Sequence, residues 1–165
     1  MADHKITLRV AVHADVGVIL KFIRALAEYE KLSHTVIATE QSLSEHLFGT
    51  QRTAEVLIGA LNGADVGFAL FFRSFSTFLG KPGIYLEDLF VMPEARGSGV
   101  GRALLTEVAR IAVERGCGRL EWAVLDWNEP AIGFYKKLGA VPLDDWTTYR
   151  VTDEALRRLA GDRQT

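Results

Sequence analysis

Residues 91–105, VMPEARGSGVGRALL, place glycine at 97, 99 and 101, directly after an apolar strand pattern and directly before a helical one. Glycine leaves backbone amides unobstructed and reaches positive φ without strain, so successive N–H groups can converge on one anion. A helix starting there adds about half a positive charge at its first turn. Arg96 and Arg102 flank the glycines with full charges. Spacing removes two phosphate loops from consideration. A mononucleotide loop needs four residues between its glycines and then Lys-Ser or Lys-Thr, and neither is present. A dinucleotide fingerprint needs glycines at relative positions 1, 3 and 6, and the sixth residue counted from Gly97 is Arg102. What remains is an anion cradle built from the amides of Gly97, Ser98, Gly99, Val100, Gly101 and Arg102.

On the N-terminal side of the loop, GIYLEDLFV (83–91) reads as a strand that Pro93 ends, because proline cannot continue a ladder. On the other side Val100, Leu104, Val108 and Ile111 form one helical stripe, stopped by Gly116. Further upstream, AEVLIGALNGADVGFALFFRSF reads as two strands of a hairpin joined at Asn62-Gly63. KITLRVA alternates Ile6, Leu8 and Val10 on one strand face. VGVILKFIRALAEYEKL has helical spacing at Ile19, Ile23, Leu26 and Leu32, with Asp15 as its expected cap. TEQSLSEHLFG is a second, short helix capped at Thr39 and stopped by Gly49. Downstream, RLEWAVL is a strand. NEPAIGFYKKLG is a helix with Asn128 as cap, Pro130 in its first turn and Gly139 past its end. AVPL and WTTYRVT are expected to close the sheet as strands, before a last helix in DEALRRLA. The order predicts one α/β domain over residues 1–165, with a mixed, mostly antiparallel central sheet flanked by helices.

The 165 residues are 48% hydrophobic and 24% charged, which fits a globular domain with a proper core. A net charge of −2, with scattered basic residues, argues against nucleic acid or an anionic membrane as partner. Cys117 is the single cysteine, so an internal disulfide and a thiolate metal site are excluded; between Gly116 and Gly118 it reads as a buried structural thiol. His4, His13, His34 and His46 form no i, i+4 ligand pair, and no metal is expected. There is no secretory pattern at the N-terminus and no apolar run near the roughly 20 residues of a membrane span, so a cytoplasmic protein is expected.

With Arg96, Gly99 and Gly101 in the pattern Arg/Gln, two residues, Gly, one residue, Gly/Ala, the loop resembles the pyrophosphate-binding segment of the GCN5-related N-acetyltransferase superfamily. The order of elements is similar to that fold from end to end. The resemblance implies acetyl-CoA in a cleft between central strands. It also implies that the backbone of Leu89, Phe90 and Val91 receives the thioester and pantetheine arm. WNEPAIGFYKKLGA is similar to the family's asparagine-to-tyrosine helix, which implies coenzyme contacts from Asn128, Glu129, Pro130 and Ala131. It also makes Tyr135 the proton donor to the leaving thiolate. On periodicity alone Tyr135 reads as a core aromatic set against Ala131 and Leu138.

Acetyl transfer to an amine needs a group that removes a proton, because an ammonium near pKa ~10.4 has no lone pair. YLEDLF offers Glu87 and Asp88. As neighbours on a strand their side chains point to opposite faces and cannot form a carboxylate pair, so only one can face the substrate. The resemblance favours Glu87, as a water-mediated base and cation anchor.

Within the superfamily, LAEYEKL, YLEDLFVMPEARGSGVG and AVLDWNEPAIGFYKKLGA, with Trp146, are similar to the spermidine/spermine (diamine) and thialysine acetyltransferase branch. Tyr29 and Glu30 then match a substrate-contact pair. Glu121, Trp122 and Ala123 match the strand beside the cleft, and Asp145, beside Asp144, falls near a further acidic contact in a shorter loop. In SFSTFLGKPG the polyamine enzymes carry an acid followed by Pro-Trp, where this chain has Ser76, Thr77 and Phe78; the change favours a shorter diamine or a lysine-like amino acid. The branch implies a homodimer. Rival readings are a non-catalytic acyl-CoA sensor and an acetyltransferase acting on a protein amine.

Overall fold

A computed structural model describes residues 5–161, and His4 lies outside the described residues. The chain forms two compact units, Met1–Ala123 and Val124–Thr165.

The first unit holds a five-stranded sheet in the order β1-β2-β3-β4-β5. Its strands are β1 (Ile6–Val10), β2 (Glu55–Leu61), β3 (Ala64–Ser76), β4 (Lys81–Val91) and β5 (Leu120–Glu121). Asn62 and Gly63 take φ of 52° and 87°, the turn whose twist matches a two-residue hairpin, and β2 pairs antiparallel with β3 as expected. β1 pairs antiparallel with β2, and β3 with β4. The connection from β4 to β5 is a helical crossover through α3 (Val100–Glu114), so these two strands run parallel. β1 is an edge strand, and Val10 at its end is 67% exposed, so the face expected of Ile6, Leu8 and Val10 is only partly covered.

Helices cover both faces. α1 (Val16–Tyr29) sends Ile19 and Phe22 into a cluster with Val56, Ile58, Phe68 and Phe90, and the rings of Phe22 and Phe68 stack at 5.6 Å. The alternate face of β2 meets α3, where Val100, Leu104 and Val108 are fully buried. A Cβ added at Gly59 would stand 2.8 Å from Val100 Cγ1, so glycine lets the helix come down onto the strand. The stripe expected of α3 is therefore present, and Gly116 ends it at φ 67°.

Several local expectations change. Asp15 precedes α1, but its carboxylate accepts the Val12 N–H at 2.8 Å and pairs with Arg9 at 2.6 Å, closing the 3-10 turn His13–Asp15 instead of capping α1. α1 stops at Tyr29 rather than reaching Leu32. Lys31 takes φ 61°, and the Leu32 N–H turns back to Ala27 O at 2.8 Å, a closing bond that satisfies an orphan carbonyl. Thr39 does cap α2 (Glu40–Leu43), accepting the Ser42 N–H at 3.1 Å, and the chain widens into a π turn, Ser44–Phe48. Gly49 follows with an ordinary φ of −72°; it is glycine because a Cβ there would lie against Glu45 O. Cys117 is half-buried instead of buried.

The second unit contains α4 (Glu129–Lys137) and α5 (Asp153–Leu159). Asn128 Oδ1 accepts the Ala131 N–H at 3.4 Å, Pro130 stands in the first turn, and Gly139 follows the end at φ 86°, all as expected. The closing strands expected in AVPL and WTTYRVT are not formed: 140–152 is turn and irregular chain without ladder bonds, and Tyr149 is 90% exposed. The strand expected in RLEWAVL shortens to Leu120–Glu121. β-branched and aromatic residues favour a pleated surface only where a neighbouring strand pairs with them, and composition cannot supply that partner.

Candidate active site

The glycine loop takes its shape from backbone sterics. β4 ends at Val91, Pro93–Ala95 makes a single 3-10 turn, and the chain reaches Gly97 at φ 77° and Gly99 at φ 96° before α3 begins at Val100. A Cβ on Gly97 would meet nothing within 4 Å, so its left-handed φ is what demands glycine there. Gly101 is different: it is helical, and an added Cβ would make an ordinary 3.5 Å contact with Val91 Cγ2, which fits a position where alanine also serves. The first intrahelical bond of α3 runs from the Ala103 N–H to Gly99 O at 2.9 Å. The amides of Gly99, Val100, Gly101 and Arg102 therefore precede the helical ladder at the positive end of a 15-residue helix. Ser98 turns inward, donating its hydroxyl to Ala95 O at 2.6 Å.

Arg96 is held from three sides. Its Nε donates to Val91 O at 3.1 Å, its guanidinium carbon lies 4.3 Å from the Tyr29 ring centroid, and the Phe90 centroid is 5.6 Å away. Tyr29 is the last residue of α1, so the arginine of the loop and the end of α1 meet on one face of β4.

A break in the ladder sets the acidic part of the site. Leu70 pairs with Asp88 and Phe71 with Leu86, which leaves Glu87 as an extra residue in β4. Such a bulge suspends strict alternation. The expectation that Glu87 and Asp88 cannot form a carboxylate pair, which assumed regular alternation, is therefore corrected. The Asp88 carboxyl is pushed up to about 7, first by burial, then by the charge of Glu87, then by that of Glu30. Burial also pushes the Glu30 carboxyl upward. Three carboxyls thus gather where α1 ends and β4 bulges, Glu87 exposed and Asp88 half-buried. The arrangement favours a cation and holds a carboxyl that exchanges its proton near neutral pH. YLEDLF offers Asp88 beside Glu87 and the resemblance favours Glu87; the part Asp88 plays is legible only from its burial and from the bulge.

Beyond the bulge, Leu89, Phe90 and Val91 pair with Ala69, Phe68 and Gly67 of β3. β5 pairs with β4 only at Ile84 and Tyr85, so among the described residues the other edge of β4 from Leu86 onward carries no strand. Glu121 in β5 is ion-paired to Arg119 at 2.7 Å, Trp122 is half-buried and Ala123 is exposed. Ser76 is buried where β3 turns into β4, and its Oγ accepts the Leu79 N–H at 3.2 Å. The first unit thus brings together Tyr29, Glu30, Glu87, Asp88 and Arg96. Asn128, Glu129, Pro130, Ala131, Tyr135 and Asp145 belong to the second unit. Tyr135 lies in the last turns of α4, its ring 5.3 Å from that of Phe134, and Asp145 is exposed in a turn. Among the described residues no group of three or more His, Cys, Asp or Glu could hold a metal ion, and no helix is long and apolar enough to cross a membrane.

Residues 23–140 match the family model described as Acetyltransferase (GNAT) family. The chain is 41% identical to a thialysine N-epsilon-acetyltransferase of Bos taurus, over 94% of this chain and 98% of the relative. It is 32% identical to an L-ornithine N5-acetyltransferase of Arabidopsis thaliana, over 92% of this chain and 86% of the relative. Among solved structures, an integron cassette protein from the mobile metagenome of V. cholerae superposes with a TM-score of 0.78 at 27% identity, covering 94% of this chain and 97% of the other. The glycine loop at the head of α3, the bulged β4 beside it and the matches across the chain have one explanation: this chain belongs to the acetyltransferase (GNAT) family and is an N-acetyltransferase.

Proposed function

We propose that the protein transfers the acetyl group of acetyl-CoA to the terminal primary amine of a small cationic amino acid of the lysine or ornithine type. The observation that carries the acceptor class is the carboxyl cluster of Glu30, Glu87 and Asp88 beside an anion-binding loop. An ammonium is steered to and held by such a cluster. The names of the thialysine and ornithine relatives support an amino acid over a longer polyamine. Ser76, where the polyamine enzymes carry an acid, points the same way, and its Oγ also accepts the Leu79 N–H.

In this reading the amides from Gly97 to Arg102, with Arg96, bind the pyrophosphate, and the backbone of Leu89, Phe90 and Val91 aligns the thioester. Asn128, Glu129, Pro130 and Ala131 complete the coenzyme contacts by resemblance. Tyr29, Glu30, Glu121, Trp122, Ala123 and Asp145 are the acceptor contacts on the same basis. Glu87 anchors the ammonium and takes its proton through water. Asp88, next to it and poised near 7, keeps that proton exchangeable at neutral pH. The released amine attacks the thioester carbon. Tyr135 gives its phenolic proton to the departing thiolate; a free phenol titrates at about 10 and a free thiol at about 8.5. As the thiolate leaves, the second proton of the nitrogen restores the Tyr135 phenol, so one proton reaches solvent for each amide formed. The same proposal treats both units as one acetyltransferase domain, working as a cytoplasmic homodimer.

Release of free thiol from acetyl-CoA, followed with a panel of thialysine, lysine, ornithine, diamines and spermidine, tests the function. Turnover is expected with the amino acids ahead of the polyamine. Tight acetyl-CoA binding without turnover on any amine would refute it, and light scattering of the purified protein decides the dimer.

A further inference from the structure

Tyr29 serves two neighbours at the end of α1. Its ring packs against the apolar cluster between α1 and the sheet. Its face lies 4.3 Å from the guanidinium carbon of Arg96. The same guanidinium is 5.6 Å from the Phe90 centroid, and its Nε is tied to Val91 O at 3.1 Å. Contacts from α1, from β4 and from its own loop therefore hold one long side chain, although that side chain belongs to an exposed residue beside Gly97. A guanidinium stacks through its face and donates through its edge, so stacking on an aromatic ring leaves the Nη edge directed outward for an anion. A side chain already held this way loses less freedom when its ligand arrives.

We infer that Tyr29 is a positioning residue for the donor substrate, acting through Arg96. It fixes the arginine in the orientation that meets the pyrophosphate of coenzyme A. The inference rests on the proposed reading of the glycine loop as the coenzyme site. It gives the end of α1 a donor-side task, one residue from the Glu30 carboxyl on the acceptor side. The hydroxyl of Tyr29 has no part in it; the face of the ring does.

Calorimetric binding of coenzyme A to the wild type, Tyr29→Phe, Tyr29→Leu, Arg96→Gln and the Tyr29→Leu/Arg96→Gln pair tests the inference. The KM for S-acetylpantetheine, which lacks the pyrophosphate, is measured alongside. Tyr29→Leu should weaken coenzyme A binding roughly 3- to 10-fold, the range of a partly exposed cation–π contact and its ordering effect. Tyr29→Phe should stay within about twofold of the wild type because the ring face remains. The double variant should bind no more weakly than Arg96→Gln alone, and Tyr29→Leu should cost more in coenzyme A binding than in the KM for S-acetylpantetheine, which has no pyrophosphate for Arg96 to meet. Losses that multiply in the double variant, an equal loss with S-acetylpantetheine, or full binding by Tyr29→Leu would each overturn the inference. A wild type that fails to bind coenzyme A would instead overturn the proposed function on which it rests.

Discussion

Asp88→Asn changes the charge of the acidic cluster while keeping its shape, and the consequence can be worked out from burial. In the folded chain Asp88 titrates near 7 against an ordinary 3.8, because burial and the charges of Glu87 and Glu30 oppose ionisation. Glu87 is on its own strand, Tyr29 and Glu30 end α1, the paired residue on β3 is the apolar Leu70, and Arg96 is engaged by Tyr29 and Val91 O. With the folded pKa above the unfolded one, the folded state holds a proton that the unfolded chain has released. The stabilisation is full below about 4 and is lost as pH rises through 7. At about 1.4 kcal/mol per pH unit, the span from 3.8 to about 7 sets a ceiling of roughly 4 kcal/mol. Local relaxation and the part of the window that lies below pH 5 leave roughly 1–3 kcal/mol between pH 5 and pH 8. Asparagine carries no such dependence. Urea unfolding of both proteins at the two pH values should therefore show the variant gaining on the wild type by that amount at pH 8. The comparison cancels every titrating group that does not sense the charge of Asp88. Parallel stability curves, or a gain confined to pH 5, would refute the reasoning.

Other consequences follow from single contacts. Gly99→Ala forces a left-handed φ of 96° on a residue with a Cβ and should cost roughly 1–2 kcal/mol in thermal or urea unfolding, whereas Gly101→Ala, helical and unobstructed, should match or exceed the wild type. Ser76→Ala removes the bond to the Leu79 N–H and should lower stability by about 0.5–1.5 kcal/mol, while the ranking of amines in the thiol-release assay stays the same. Tyr135→Phe should lower kcat by about 10²-fold or more with coenzyme A affinity unchanged in calorimetry, and equal loss of both would assign the tyrosine to packing.

What could be read in the sequence was local. The Asn62-Gly63 turn, the Thr39 and Asn128 caps and the buried stripe of α3 each depend on neighbours within a few residues, and each is found in place. The glycines at 97 and 99 belong with them, because a left-handed φ is a property of the residue itself. The bulge and the missing strands depended on distant chain. The bulge at Glu87 is a relation between β4 and β3, and no pattern within YLEDLF announces that alternation stops there. The strands expected at AVPL and WTTYRVT had the composition of strands and no ladder to join. The helix of α1 ended early because Lys31 adopts a left-handed turn that its side chain does not advertise.

The measurement that bears most directly on the account is the identity of the product. Incubation of the protein with acetyl-CoA and thialysine or ornithine, followed by NMR of the amino acid, should show one acetyl group on the side-chain nitrogen and an unmodified α-amine. Coenzyme A should appear in equal amount. An unmodified amino acid in the presence of protein that binds acetyl-CoA, or acetylation of the α-amine, would contradict it.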